Sequence, residues 1–159
     1  TFQQTAFKDF SDKKIPVGEF VQELKNLSDG IGTFKGVVPL IIESADLLIE
    51  RENNKEALPT LERAYTNFSG KNAYIKYFVG TRLAVVYENL DRNADAIKVL
   101  EEINNSSVKL LGPKVYIDLG RLYKKSGDLD KAKVSFEYVV ENFNEPEFSK
   151  IAKLYLTTL

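Results

Sequence analysis

The sequence predicts an all-α protein: antiparallel pairs of amphipathic helices, stacked in succession as a short right-handed solenoid. Two observations carry that expectation. Apolar residues recur at three- and four-residue steps along nearly the whole chain, which is the period of one helix face. Small residues recur within that pattern at a longer interval, with Ala57, Ala96 and Ala132 spaced 39 and 36 residues apart. Self-similarity at that length marks a repeat array, in which each helix pair buries one face on its neighbour and is unstable alone.

Composition narrows the chemistry. The 159 residues suffice for one domain with a real core, expected over 1–159. A net charge of −1 gives no bulk basic field, so nucleic acid is not expected as a partner. The chain has no Cys and no His. That removes disulfides, thiol nucleophiles, the usual zinc ligands and the commonest general base. Asp118, Glu43 and Glu137 are carboxylates on predicted helices, but no pair has a spacing that demands acid–base work, so the chain is expected to be no enzyme and to need no cofactor or metal. Gly30, Gly32 and Gly36 lack the Lys-Ser/Thr of a phosphate loop. No run of about 18 apolar residues is present to span a bilayer.

In order, Phe2, Ala6 and Phe10, with Phe7 nearby, make one helical stripe, and Ser11-Asp12-Lys13-Lys14 makes a turn. Pro16 suits a first helical turn. Val17, Phe20, Val21, Leu24 and Leu27 then form an apolar face ending at Ser28-Asp29-Gly30. Residues 1–28 thus form a helical hairpin, one without the small-residue signature of the later pairs. The first repeat is expected over 33–69. Its first helix runs from about Phe34 to Glu52, with Pro39 starting or kinking it, and Asn53-Asn54 is the turn. Its second helix carries Ala57, Leu61, Ala64 and Phe68, and Pro59 inside it should cost a hydrogen bond. The second repeat, 72–104, has Leu83, Ala84 and Tyr87, a turn at Asp91-Arg92-Asn93, then Ala96, Leu100 and Ile103. Lys109-Leu110-Leu111 is an apolar patch in the long loop that follows.

The third repeat, 113–144, is the clearest. Tyr116, Leu119, Gly120 and Tyr123 share one face, and Ser126-Gly127-Asp128 breaks the helix. Glycine accepts the left-handed conformation, and Asp can cap the next helix. Ala132, Phe136, Val139 and Val140 follow, and Pro146 closes the unit. Gly120 and Ala132 are expected where the two helices press closest. Residues 147–159 form a capping helix, with Phe148, Ile151, Ala152 and Tyr155 at the offsets of Tyr116, Leu119, Gly120 and Tyr123. Its outer face is expected to be polar, with Lys150 and Lys153.

These offsets resemble the tetratricopeptide repeat, with Tyr116 where that family usually has Trp. The resemblance implies about three degenerate repeats and a protein-binding module whose first helices line a concave groove. Counting from the aligned positions, the groove residues are Ile42, Asp46 and Glu50; then Phe78, Thr81, Val85 and Glu88; then Lys114, Ile117, Arg121, Lys124 and Lys125. The floor is partly apolar, and the charge runs from acidic in the first repeat to basic in the third. Such a groove suits extended polypeptide. The same charges are equally consistent with solvation of a helix face over a groove filled by residues 1–28.

More narrowly, the chain resembles the soluble domain of bacterial ancillary Sec-translocon subunits, most closely over Tyr77 to Leu100 and Leu119 to Lys133. That resemblance implies one membrane anchor upstream of Thr1, a periplasmic or extracytoplasmic location, and help to newly exported polypeptides alongside the translocon and envelope chaperones. The alternative is a cytoplasmic or envelope scaffold subunit that uses its convex face or Lys109-Leu110-Leu111.

Overall fold

The computed structural model describes residues 3–32, 34–70, 72–106 and 111–159. All regular structure among the described residues is helical. The chain divides into two compact units, Thr1–Leu90 and Asp91–Leu159.

In the first unit a π-helical turn, Gln3–Phe7, leads into α1, Lys8–Ser11, and α2 follows as Val17–Ile31. The expected stripe is present for Ala6 and Phe10, which are buried, while Phe2 lies outside the described residues. Pro16 sits just before the helix, with extended backbone. Helix α2 runs past the expected stop at Gly30 and ends where Gly32 turns left-handed, at φ 64°. Aromatic packing holds the hairpin together: the Phe10 and Phe20 rings stack 4.4 Å apart and 9° from parallel, with Phe7 edge-on to Phe20. Arg51 ties it to the next element. Its guanidinium donates to the carbonyls of Phe10 (2.6 Å) and Ser11 (2.8 Å) and lies 4.4 Å above the Phe10 ring.

A 3₁₀ turn, Lys35–Val37, precedes α3, Val38–Glu50. Pro39 falls in the first turn, where its missing N–H costs nothing, so it starts this helix. Then come α4, Asn54–Phe68, and α5, Ala73–Asn89. Helix α4 packs on α3, and α5 on both α4 and α3. That is the stacking order of helix-pair repeats. Pro59 lies inside α4 and leaves the carbonyl one turn earlier without its usual donor. Asn72 caps α5 by accepting from the Ile75 amide at 3.0 Å.

The second unit holds α6, Asn93–Asn104, α7, Gly112–Lys125, α8, Leu129–Asn142, and α9, Pro146–Leu156. Each packs on its sequence neighbour, and α7 also meets α9. Lys109 and Leu110 lie outside the described residues, and Leu111 is exposed with left-handed backbone. The expected close approach of small residues is present. Ala132 is buried, and a Cβ placed on Gly120 would fall 2.6 Å from the Phe136 ring. Phe136 in turn stacks on Tyr155 at 4.8 Å, 4° from parallel.

The turns repeat as well. Glu52, Asp91 and Gly127 close the first helix of successive pairs, each with positive φ. Lys13 does the same 39 residues before Glu52. Ala6 likewise falls 39 residues before Ala45, and both are buried. The first hairpin therefore shares the turn and one small-residue position of the repeats from which its sequence set it apart. The expectation for α9 is corrected. Lys150 and Lys153 are exposed, but so are Ile151 and Leu154, so the outer face of this helix is not polar.

Candidate functional site

Within the first unit, the packing of α5 on α3 sets the two helices side by side. Helix α5 carries Tyr74, Phe78 and Val85 on its exposed surface. Steps of four and seven residues keep these three on one stripe. Thr81 is half-buried on the same side, and its hydroxyl approaches the Phe78 carbonyl at 3.4 Å. Glu88 is half-buried one turn beyond Val85. Helix α3 contributes Ile42, half-buried, and Asp46 and Glu50, both exposed.

The two helices are stitched across this face by Arg82. Its Nε and Nη2 donate to the two Asp46 carboxylate oxygens at 2.6 and 2.8 Å, and Nη1 donates to the Phe78 carbonyl at 2.9 Å. A two-pronged contact of this kind fixes orientation as well as charge. Asp46 therefore does not stand free as an acidic pole; its charge is matched within the unit. Neither Arg82 nor Tyr74 is among the groove residues expected from the sequence. Their signal was available, since Arg82 is one turn from both Phe78 and Val85, and Tyr74 is one turn before Phe78. The described part of the first hairpin leaves the stripe exposed, so it does not fill this face.

The basic residues expected in the second unit are placed differently. Lys114 and Arg121 both approach Asp118, at 2.6 and 3.9 Å. Lys124 donates to the backbone carbonyl and hydroxyl of Thr158 at 2.7 and 2.9 Å. Lys125 lies 3.7 Å from Asp91. Ile117 is buried, which removes it from any groove floor. The reason is that α7 is packed by α6, α8 and α9, so positions that a helix with fewer neighbours would expose are covered here.

Two tyrosines at equivalent positions tie helices together within their units. Tyr87 donates to Glu62 of α4 at 2.8 Å, and Tyr123 donates to Glu101 of α6. Burial, reinforced by the bond to Glu101, pushes the Tyr123 hydroxyl well above the usual tyrosine range. Tyr123 is thus a neutral donor rather than an acid or base. Among the described residues no group of acidic side chains is arranged to hold a metal ion. No described helix is long and apolar enough to cross a membrane.

No curated protein matches the chain. Residues 113–142 match the tetratricopeptide repeat family. The matched stretch spans α7 and α8 with the Gly120–Phe136 contact between them, and repeats of this family generally mediate protein–protein interaction. The α7–α8 hairpin is thus the part of the chain that is similar to a tetratricopeptide repeat.

Proposed function

We propose that the chain is a non-enzymatic adaptor that binds extended polypeptide on the α3–α5 face, and that it serves protein export or envelope assembly from the extracytoplasmic side of a membrane. The observation that carries the binding surface is the exposed stripe Tyr74, Phe78 and Val85 on the first helix of a repeat pair. Aromatic and aliphatic side chains left in water at helical spacing stabilise a complex by burial. The Arg82–Asp46 pair beside them holds α3 and α5 in fixed orientation under the stripe. The export role rests on the resemblance of Tyr77–Leu100 and Leu119–Lys133 to ancillary translocon subunits.

The test is titration of a labelled unfolded client, such as a reduced and denatured secretory protein, against the chain. Saturable binding is expected, weakened about tenfold or more by Phe78→Asp, in line with loss of a central apolar anchor. Binding that ignores Phe78→Asp and Val85→Asp overturns the surface. The location is tested separately, by protease accessibility of the natural protein in intact cells and spheroplasts.

A second reading, a scaffold subunit, has one observation in its favour. A shallow cleft of about 510 Å³ opens between α6, α7 and α8, with Tyr116, Tyr123 and the exposed Val134 in its wall. A stoichiometric partner that survives Phe78→Asp and is lost with Val134→Asp would favour it.

A further inference from the structure

Helices α2 and α4 face each other through small residues, and the space between them is not filled. Ser28 of α2 and Ala64 of α4 line a cavity of about 190 Å³ in the first unit. Val37, Ile41 and Phe68, all buried, form its floor, and the half-buried Val21 stands in its wall. An apolar cavity stays dry because water finds too few polar partners in it, and one of about 150 Å³ takes benzene. This one has room for a ring bearing a short chain.

The charged residues in the wall say which apolar molecule fits. They are Lys25 of α2 and Arg63 of α4, both exposed, and among the described residues no carboxylate lines the cavity. Both cations hold one carboxylate outside the wall, that of Asp29. Lys25 donates to one of its oxygens at 2.9 Å, and Arg63 donates to the other. Two cations against one anion leave a positive charge at the mouth. Each cation also keeps N–H donors that Asp29 does not use. The clasp shows, besides, that a lysine and an arginine from different helices converge here on a single carboxylate.

We propose that this cavity binds a small apolar molecule carrying one carboxylate, an aryl- or alkyl-alkanoic acid of about the size of phenylbutyrate. Its ring or chain fills the space over Val37, Ile41 and Phe68, and burial drives its entry. Its carboxylate stays at the mouth beside Asp29 and takes the spare donors of Arg63 and Lys25, so that two anions balance two cations. Tyr74, Phe78 and Val85 do not line the cavity, so it stands or falls apart from the client surface.

Probes of one shape and different charge test it by calorimetric titration and thermal denaturation: 4-phenylbutyrate, 4-phenylbutanol and 4-phenylbutylamine. The acid is expected to bind saturably and to raise the Tm. The amine binds at least about tenfold more weakly, and the alcohol falls between them. Val21→Phe fills the space and abolishes binding, with a cooperative circular dichroism melt showing that the fold persists. Lys25→Gln with Arg63→Gln lowers the affinity for the acid to that for the alcohol and leaves the alcohol bound. Phe78→Asp changes none of this. Failure of both acid and alcohol to bind overturns the proposal, as does binding that ignores Val21→Phe or does not distinguish acid from amine. A short peptide ending in phenylalanine that displaces 4-phenylbutyrate and binds more tightly than it also overturns the proposal, by naming a chain terminus as the occupant.

Discussion

A missing side chain sets the distance between α7 and α8. With hydrogen at Gly120, the backbone of α7 comes up against the Phe136 ring; a methyl there would fall 2.6 Å from that ring. The ring cannot swing aside, because it is fully buried and stacked on Tyr155. Gly120→Ala is therefore expected to lower stability despite the better helix propensity of alanine. Overpacking costs about 1–3 kcal/mol, and propensity returns about 1 kcal/mol. Thermal denaturation of Gly120→Ala, and of Gly120→Ala with Phe136→Leu, checks this; the second change should recover part of the loss. This contact was legible from the sequence because a close approach demands a small residue at a fixed offset. The Arg82–Asp46 pair was not, because its members lie on different helices and no local rule joins them. Ile117 was assigned to a groove by counting along one helix, and counting cannot tell how many neighbours that helix has.

Asp128 carries a pH dependence. Its carboxylate accepts from the Lys131 amide at 3.2 Å and lies 3.1 Å from the Lys131 ammonium. The backbone bond, with the side-chain bond after it, holds its carboxyl below the ordinary value of 3.8. A depressed carboxyl stabilises the fold above the unfolded value and loses that contribution as pH falls through the folded one. The difference in Tm between the natural chain and Asp128→Ala should therefore be full at neutral pH and shrink as the pH falls below the ordinary carboxyl value of 3.8. A gap that stays constant as the carboxyl is titrated by acid would show that the carboxylate charge plays no part in the cap.

Among the elements, the helix ends were the easiest to anticipate. Gly127 and Asp128 stand where the chain must stop one helix and cap the next, and the structure uses them so. Glu52 and Asp91 were harder to foresee, since neither side chain favours positive φ as glycine does. The attachment of the first hairpin was not visible, because it depends on one arginine some 40 residues away in sequence. Arg51 binds the last carbonyls of α1 and covers Phe10. The charge-assisted bond to the partly buried Phe10 carbonyl contributes about 1.5–3 kcal/mol at most, the one to the exposed Ser11 carbonyl less, and the ring contact about 0.5–1 kcal/mol. Allowing for partial exposure, Arg51→Ala should ease local opening of the hairpin by about 2 kcal/mol. Native-state hydrogen exchange should show this as faster exchange at amides of α1 and α2, with α7 and α8 unaffected. Uniform acceleration along the chain would mean that Arg51 supports more than the hairpin. Pro59 remains without a structural account beyond the donor it removes.

At the scale of the molecule, repetition was legible and its consequences for surfaces were not. Offsets of 36 and 39 residues identify which positions are equivalent. Whether an equivalent position is covered depends on the neighbours present, as Leu122 and Leu154 show. The same dependence on neighbours governs stability. Repeat arrays are held by interactions within a helix pair and between adjacent pairs, so destabilisation is felt most near its origin. Leu61 is fully buried in the first unit and Phe136 in the second. Leu61→Ala and Phe136→Ala each remove about 2–5 kcal/mol of local packing. Hydrogen exchange on Leu61→Ala should lose protection chiefly in α3, α4 and α5, and on Phe136→Ala chiefly in α7, α8 and α9. An all-or-none fold responds otherwise: either substitution lowers every protected amide by the same free energy. Two distinct patterns of loss would show that α3, α4 and α5 on the one hand and α7, α8 and α9 on the other are separately stabilised.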